Sequence, residues 1–416
     1  MASTMRVATR TMATRNAAMA RSVGAKRRRC AIGRKVLHAT AKAQGLDMRD
    51  AIEKLLRRED LALEETRDVL TVRGIHSQGS RSTQENKRRT CVWLTDRNVH
   101  VQAILDNADA AQIAAFLVLL RAKGETADEI AGLALGMKAR AIAVDAGDDV
   151  LDIVGTGGDG AGTVNISTGS TVLAAAAGAK VAKHGSRSVS SLCGSADVLE
   201  KLGVAIDLGP EGVARCVKET GVGFMFAPRY HPGMATVGPV RKSLRVRTAF
   251  NILGPMLNPA SASYGLIGVY SNSLAPLMAD AITRLGTKKA LVVHSMGLDE
   301  LTPCGPADVL EVSGSTTKKY TIDPQRDCGI PKCTLEDLKG GDADLNAKIL
   351  RDVFAGEEGA VADALCLNAG FALAACGEAS TPQEGVAMAR EVQRSGKALK
   401  TLDSWVALSQ ECKKNE

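Results

Sequence analysis

Aromatic side chains make up only 3% of the 416 residues, and no apolar run approaches the roughly 18 residues that a membrane-spanning helix requires. The first scarcity argues against a base-stacking surface and the second against a membrane protein. The ten cysteines, at positions 30, 91, 193, 216, 304, 328, 333, 366, 376 and 412, show no CxxC spacing and no histidines at zinc spacing, so neither a disulfide framework nor a zinc site is expected. Cys366 and Cys376, in Ala/Leu-rich stretches, read as small buried hydrophobes. Acidic residues are missing altogether from residues 1–46, which carry 11 Lys and Arg; removing those 11 turns the overall +7 into −4 for the remainder. The basicity therefore belongs to a leader and not to a nucleic-acid-binding body. Rich in Ala, Ser, Thr and Arg without a continuous apolar core, the leader reads as an organellar transit peptide cleaved between Arg29 and Gly45. A disordered basic arm that binds RNA or an acidic partner is the alternative.

A hydrophobic content of 45%, with 41 Gly and abundant Ala, suits close-packed helix and sheet layers in more than one folding unit. From Met48 to about Leu70 apolar residues recur at helical spacing (Ile52, Leu55, Leu56, Leu61, Leu63), which predicts a helical hairpin. A second helical pair is predicted over 109–145, broken near Gly124 and restarted by Thr126 with Glu129 three positions on. Between the pairs, 71–100 is polar, basic and without period, too long for a helix connection. It is either a flexible insertion or an intron translated in error; the second is preferred because the helical pattern resumes at Ala103-Ile104-Leu105-Asp106.

From Asp149 the rhythm changes to short apolar runs alternating with helices. Strands are predicted at Val150–Val154, Lys180–Lys183, Val222–Phe226, Leu266–Tyr270 and Ala290–His294, with helices at Ser170–Ala177, Ala196–Leu202 and Leu274–Leu285. The fold class is therefore α/β: a small helical N-terminal domain (47–145) and a larger domain (146–416) with a mainly parallel central sheet. Residues 308–324 break the alternation and read as an antiparallel ribbon around Ser313-Gly314-Ser315.

Three segments at predicted strand ends carry chemistry. Gly155-Thr156-Gly157-Gly158-Asp159-Gly160-Ala161-Gly162-Thr163, followed by Asn165-Ile166-Ser167-Thr168 at a helix start, is an anion cradle or, taken alone, merely a tight βα connection. It matches neither the Walker pattern nor GxGxxG in full. Lys183-His184-Gly185-Ser186-Arg187-Ser188-Val189-Ser190-Ser191 concentrates cations and hydroxyls suited to a polyanion, or is a solvated loop. Asp299-Glu300 offers adjacent hard oxygen donors suited to Mg2+, or a helix N-terminus whose acids serve the dipole. Arg241, in Val240-Arg241-Lys242, is a plausible fork for an aromatic acid's carboxylate or an ordinary surface residue.

Taken together, GTGGD, NIST, KHGSRSVSS, GSADVLEKLG, the FNILGPMLNPA block and GLDE, in order over roughly 47–70 and 103–410, resemble the anthranilate phosphoribosyltransferases, particularly the plant-type members. The resemblance implies a nucleoside phosphorylase/phosphoribosyltransferase-like fold, with 228–245 packing on the helical domain, and a plastid homodimer. It further implies Mg2+-dependent transfer of phosphoribose from 5-phosphoribosyl 1-pyrophosphate to anthranilate, with no dedicated catalytic residue. By motif, Gly155, Gly158, Asp159, Thr163, Asn165, Ile166, Ser167, Thr168, Lys183, His184, Gly185, Ser186, Arg187, Ser188, Val189, Ser190, Ser191 and Ser195 would hold the donor. Gly155, Ser186 and Arg241 would hold anthranilate, and Ser167, Asp299 and Glu300 the metal. Ser186 stands where the family has Asn, which removes an amide donor from the acceptor side. A nucleoside phosphorylase-like enzyme and a non-catalytic nucleic-acid-binding relative are the alternatives; the adjacent carboxylates argue against the first and the acidic body against the second.

Overall fold

A computed structural model describes residues 46–71, 109–188 and 192–416. The leader (all but its last residue), the stretch 72–100 of the insertion and the expected donor residues Val189, Ser190 and Ser191 lie outside the described residues.

Helices α1 (Met48–Leu56) and α2 (Leu63–Thr71) form the first predicted pair, and α3 (Ala110–Lys123) and α4 (Ala127–Lys138) the second. The start of α4 is set by a capping box: the Glu129 N–H donates to Thr126 Oγ1, and Glu129 Oε2 accepts from the Thr126 N–H. Glu129 is fully buried; its other oxygen accepts from the Leu61 N–H at 2.9 Å and its charge is met by Lys123, so one carboxylate pins the two helical pairs together. Helices α2 and α4 cross closely because of Gly132: a Cβ there would lie 2.7 Å from that of Thr66.

The larger part follows as β1 (Leu151–Gly155), α5 (Ile166–Ala177), β2 (Val181–Gly185), α6 (Ser195–Leu202), α7 (Pro210–Thr220), β3 (Val222–Phe226), α8 (Met234–Leu244), β4 (Tyr264–Gly268), α9 (Ala275–Leu285) and β5 (Lys289–Ser295). The hairpin β6 (Ala307–Ser313) and β7 (Thr316–Ile322) precedes α10 (Ala343–Phe354), α11 (Ala360–Cys376), α12 (Pro382–Arg394) and α13 (Lys397–Asn415). The strands form one sheet ordered β3-β2-β1-β4-β5-β6-β7, parallel through β5 and antiparallel thereafter. Strand order reverses between β1 and β4, and such a switch point opens a crevice at the carboxyl ends of the strands.

One face of the sheet is covered by α5 and α11, whose residues are apolar almost all round and buried almost throughout, as expected of helices enclosed by a core. Helix α4 packs against α9 and α3 against α8, and Asp47–Glu416 forms one compact unit. Strand β4 begins two residues earlier than predicted, at Tyr264, because that residue pairs with both Leu151 and Lys289; ladder partners, not local apolarity, set its start.

Candidate active site

The strand ends at the switch point converge on Asp299, 93% removed from solvent. Its Oδ2 accepts from the Gly157 N–H at 2.5 Å, and its backbone lies flat against the ends of β1 and β4. That packing exists only because residues 155 and 268 are glycines. A Cβ on Gly155 would sit 2.9 Å from Asp299 Cγ, and one on Gly268 would overlap the Asp299 carbonyl. Beyond Gly155 the chain turns through positive φ at Gly157 (69°), Gly158 (83°), Gly160 (72°) and Gly162 (67°), a path that side chains with a Cβ resist. The loop is held from outside: the Val164 N–H donates to the Leu338 carbonyl and the Gly340 N–H to the Gly162 carbonyl, with Thr163 bridging Lys339. Across its mouth, Arg247 stacks on Tyr270 at 4.0 Å and donates to the Gly158 carbonyl at 2.5 Å.

Glu300 faces the N-terminus of α5, where its Oε1 accepts from the Ser167 N–H at 3.3 Å. No helix follows the pair, so the dipole explanation for Asp299-Glu300 does not hold. Burial first, then the charge of Asp159, pushes Asp299 above the usual carboxylate range; burial first, then Asp299, does the same to Glu300. Beneath them Lys183 Nζ donates to the Ile153 carbonyl at 2.6 Å and to Ser167 Oγ at 3.3 Å. It is itself pushed down by burial. Thr168 Oγ1 donates to Ser195 Oγ at 3.1 Å, tying the helix mouth to the start of α6.

Gly155, Gly158, Asp159, Ser167, Ser195, Asp299 and Glu300 thus surround one crevice, with Thr168 buried behind it. Other expected donor residues serve differently. Ile166 (1% exposed) is a core residue. Lys183 (1%) lies under the carboxylates and not at the surface of the crevice. His184 is buried, with Nδ1 3.3 Å from the Gly254 carbonyl and its ring edge-on to His231 at 5.0 Å; burial pushes it down to about 3, which leaves it a weak base held in the interior. Asn165 does not cap α5: its amide donates to the Cys193 carbonyl and its Oδ1 accepts from Asn346. The Arg187 guanidinium, expected to meet phosphate, is already forked onto Asp197 and Glu200. Gly185 ends β2, exposed Ser186 follows it, and the Ser188 N–H donates to Asp197.

Arg241 stacks on Phe250 at 5.5 Å, half-buried, with no carboxylate partner among the described residues. Burial depresses it, as befits a cation short of an anion.

Sequence reasoning missed Asp152, a buried carboxylate in β1 that accepts from Asn258 Nδ2 at 2.7 Å and from the His184 N–H at 3.3 Å. A charged residue inside a strand otherwise apolar was the available signal. It also missed Gly268, Arg247 and the Leu338–Gly340 strap, which carry no local mark of a site.

The donor set suits a divalent cation: Asp299 and Glu300, both raised by burial and by neighbouring negative charge, stand beside Asp159, a hydroxyl, Ser167, and a helix N-terminus. Among the described residues no three His, Cys, Asp or Glu side chains form a ready metal cage.

Residues 147–399 match the α/β domain model of a glycosyl transferase family and residues 100–141 its helical bundle domain model. An anthranilate phosphoribosyltransferase of Chlamydia felis is 47% identical over 311 residues, covering 74% of this chain and 90% of that protein. One from Roseiflexus castenholzii is 50% identical over 305 residues, covering 73% and 89%. The chain belongs to the anthranilate phosphoribosyltransferase family. Among solved members of the family, that of Thermus thermophilus superposes with a TM-score of 0.75 at 39% identity, over 87% of this chain and 99% of its own. The Saccharomyces cerevisiae member, solved in complex with PRPP and Mg, gives 0.74 at 26% identity over 88% and 98%. The helical-plus-α/β architecture, with its mostly parallel sheet, is that of this family.

Proposed function

We propose that this chain transfers the 5-phosphoribosyl group of 5-phosphoribosyl 1-pyrophosphate to the amine of anthranilate, releasing pyrophosphate, as a step of tryptophan biosynthesis. The observation that carries this reading is the meeting of two anion-binding devices with an acidic cluster in one crevice. Loop N–H groups and the N-terminus of α5 face the buried Asp299 and Glu300, while the half-buried Arg241 guanidinium on α8 has no carboxylate partner among the described residues. The yeast relative, solved both with PRPP and Mg and with 4-fluoroanthranilate, supports the same ligand pair.

Ser167, Asp299 and Glu300 would hold Mg2+, which supplies charge neutralisation to the pyrophosphate leaving group. The glycine loop and the helix N-terminus bind and orient the phosphates. Arg241 takes the anthranilate carboxylate in a two-pronged contact and so points the amine at the anomeric carbon. An aromatic amine is already unprotonated near neutrality, so orientation suffices and no general base is required of His184. We further read the protein as a homodimer targeted to a plastid by its leader.

The test is leaderless protein with donor, Mg2+ and anthranilate, followed by loss of anthranilate fluorescence. Fluorescence unchanged at saturating donor refutes the assignment. Sedimentation at micromolar concentration decides the dimer, and a leader–fluorophore fusion the compartment.

A further inference from the structure

Cys304 and Cys333 are distant in sequence, yet their sulphurs lie 3.8 Å apart. The Cys333 N–H donates to the Pro303 carbonyl at 3.3 Å, so the two segments already run side by side. Neither thiol has a part in the transfer chemistry, but both belong to segments that continue into the donor crevice. Cys304 follows the Asp299-Glu300 pair by a few residues. The segment after Cys333 leads into the strap whose Leu338 carbonyl and Gly340 N–H grip the glycine loop at Val164 and Gly162. Cys333 is partly exposed between exposed Lys332 and Thr334, within reach of a small disulfide. Cys216 also faces Cys412, but both are buried.

We propose that Cys304 and Cys333 form a reversible thiol–disulfide site whose closure shifts the strap on the glycine cradle and weakens donor binding. The oxidant is a low-molecular-weight disulfide. One thiol loses its proton, and its thiolate attacks that disulfide, giving a mixed disulfide and releasing one thiol. The second cysteine, deprotonated in turn, attacks the mixed disulfide and releases the second thiol. The protein loses two hydrogens and two electrons' worth of reduction in all, and the oxidant becomes two thiols.

Closure requires the sulphurs to approach by about 1.8 Å, from 3.8 Å to a bond of about 2.0 Å. The two sides are not equally free to yield. Leu301 is clamped by Asn368, which accepts from its N–H at 3.0 Å and donates to its carbonyl at 2.7 Å. The segment 331–337, exposed apart from Cys333 and tied within itself by Thr334 to Asp337, yields as a unit instead. The displacement therefore passes to Leu338 and Gly340 and through them to the cradle, leaving Arg241 untouched. The effect on donor affinity rests on the function proposed above; the existence of the disulfide does not.

Full-length protein is incubated with glutathione disulfide, alkylated, digested and mapped, and transferase kinetics are measured before and after dithiothreitol. The expected result is a 304–333 linked peptide lighter by two hydrogens and a several-fold rise in donor KM. Dithiothreitol reverses the rise, anthranilate KM does not change, and Cys304→Ser and Cys333→Ser abolish the response while Cys328→Ser keeps it. Absence of the linked peptide, a linked form with unchanged donor KM, or a KM shift that persists in Cys304→Ser overturns the proposal. The peptide map needs no activity, so a reduced protein without transferase activity counts against the proposed function alone.

Discussion

Replacing Gly155 by Ala adds one methyl group at the point where β1 meets Asp299, and the structure sets the size of the consequence. Gly155 has no positive φ, so alanine fits the backbone and the effect is purely steric. The new Cβ would lie 2.9 Å from Asp299 Cγ and nearer still to Oδ2. Ordinary contact begins at 3.4 Å, so the carboxylate has to retreat by roughly an ångström on its near side. It cannot rotate in place, because the same carboxylate holds the Gly157 N–H and its main chain is pressed against Gly268. Misplacing a positioning group by about 1 Å is worth on the order of 100-fold in rate, or about 2.7 kcal/mol. Gly155→Ala is therefore expected to lower kcat/KM for the donor about 100-fold, while adding at most about 3 kcal/mol of overpacking cost to folding. Initial rates from anthranilate fluorescence over a grid of donor and Mg2+ concentrations measure the first quantity, and urea unfolding the second. A variant that folds and keeps donor kcat/KM within about threefold of the parent would show that the Asp299–Gly155 contact does not position the site.

The double variant Asp299→Asn with Glu300→Gln is expected to abolish turnover at ordinary Mg2+, and near-normal rates would remove these carboxylates from the metal site. Arg241→Ala should raise anthranilate KM at least about tenfold, losing a charge-assisted contact of some 1.5–3 kcal/mol, with donor KM largely retained; an unchanged acceptor KM moves the carboxylate clamp elsewhere. Arg187→Ala should leave donor KM within about twofold and cost under about 1 kcal/mol of stability, because that guanidinium is half-exposed and already paired with Asp197 and Glu200. Asp152 is pushed up to about 6 by burial, so the native state keeps its proton at pH values where the unfolded chain has lost it. Its contribution to stability falls as pH rises from about 4 to 6 and is constant above that. The stability of Asp152→Asn relative to the parent should accordingly improve over that window by up to about 3 kcal/mol, measured by urea unfolding at each pH, and a pH-independent difference refutes the assignment.

Much of the crevice could be read before any coordinates. Gly155 through Thr163, Ser167, Thr168, Asp299 and Glu300 are marked by local chemistry at strand ends, and a parallel sheet delivers strand ends to one edge. The reading went wrong where side-chain direction mattered. Lys183, expected at the end of a strand, and His184, expected just after it, both lie inside β2 with their side chains buried; composition cannot tell a loop cation from one buried beneath a site. Arg187 carried the right charge for phosphate, but two acids of α6, ten and thirteen residues on, reach it first.

By itself the sequence determined the succession of elements, since apolar period and turn residues are local properties of the chain. It also marked the cradle, since glycines adopt its run of positive φ at the least cost. What the tertiary structure decided is which distant groups share space. The pairing of β1 with β4 sets Gly155 beside Gly268 under Asp299, and long-range hydrogen bonds set the strap at 338–340 on the glycine loop and the Cys333 segment beside Pro303. Those relations depend on the order of strands in the sheet, which is fixed by the packing of α5 and α11 over a common core and is encoded in no single stretch of residues.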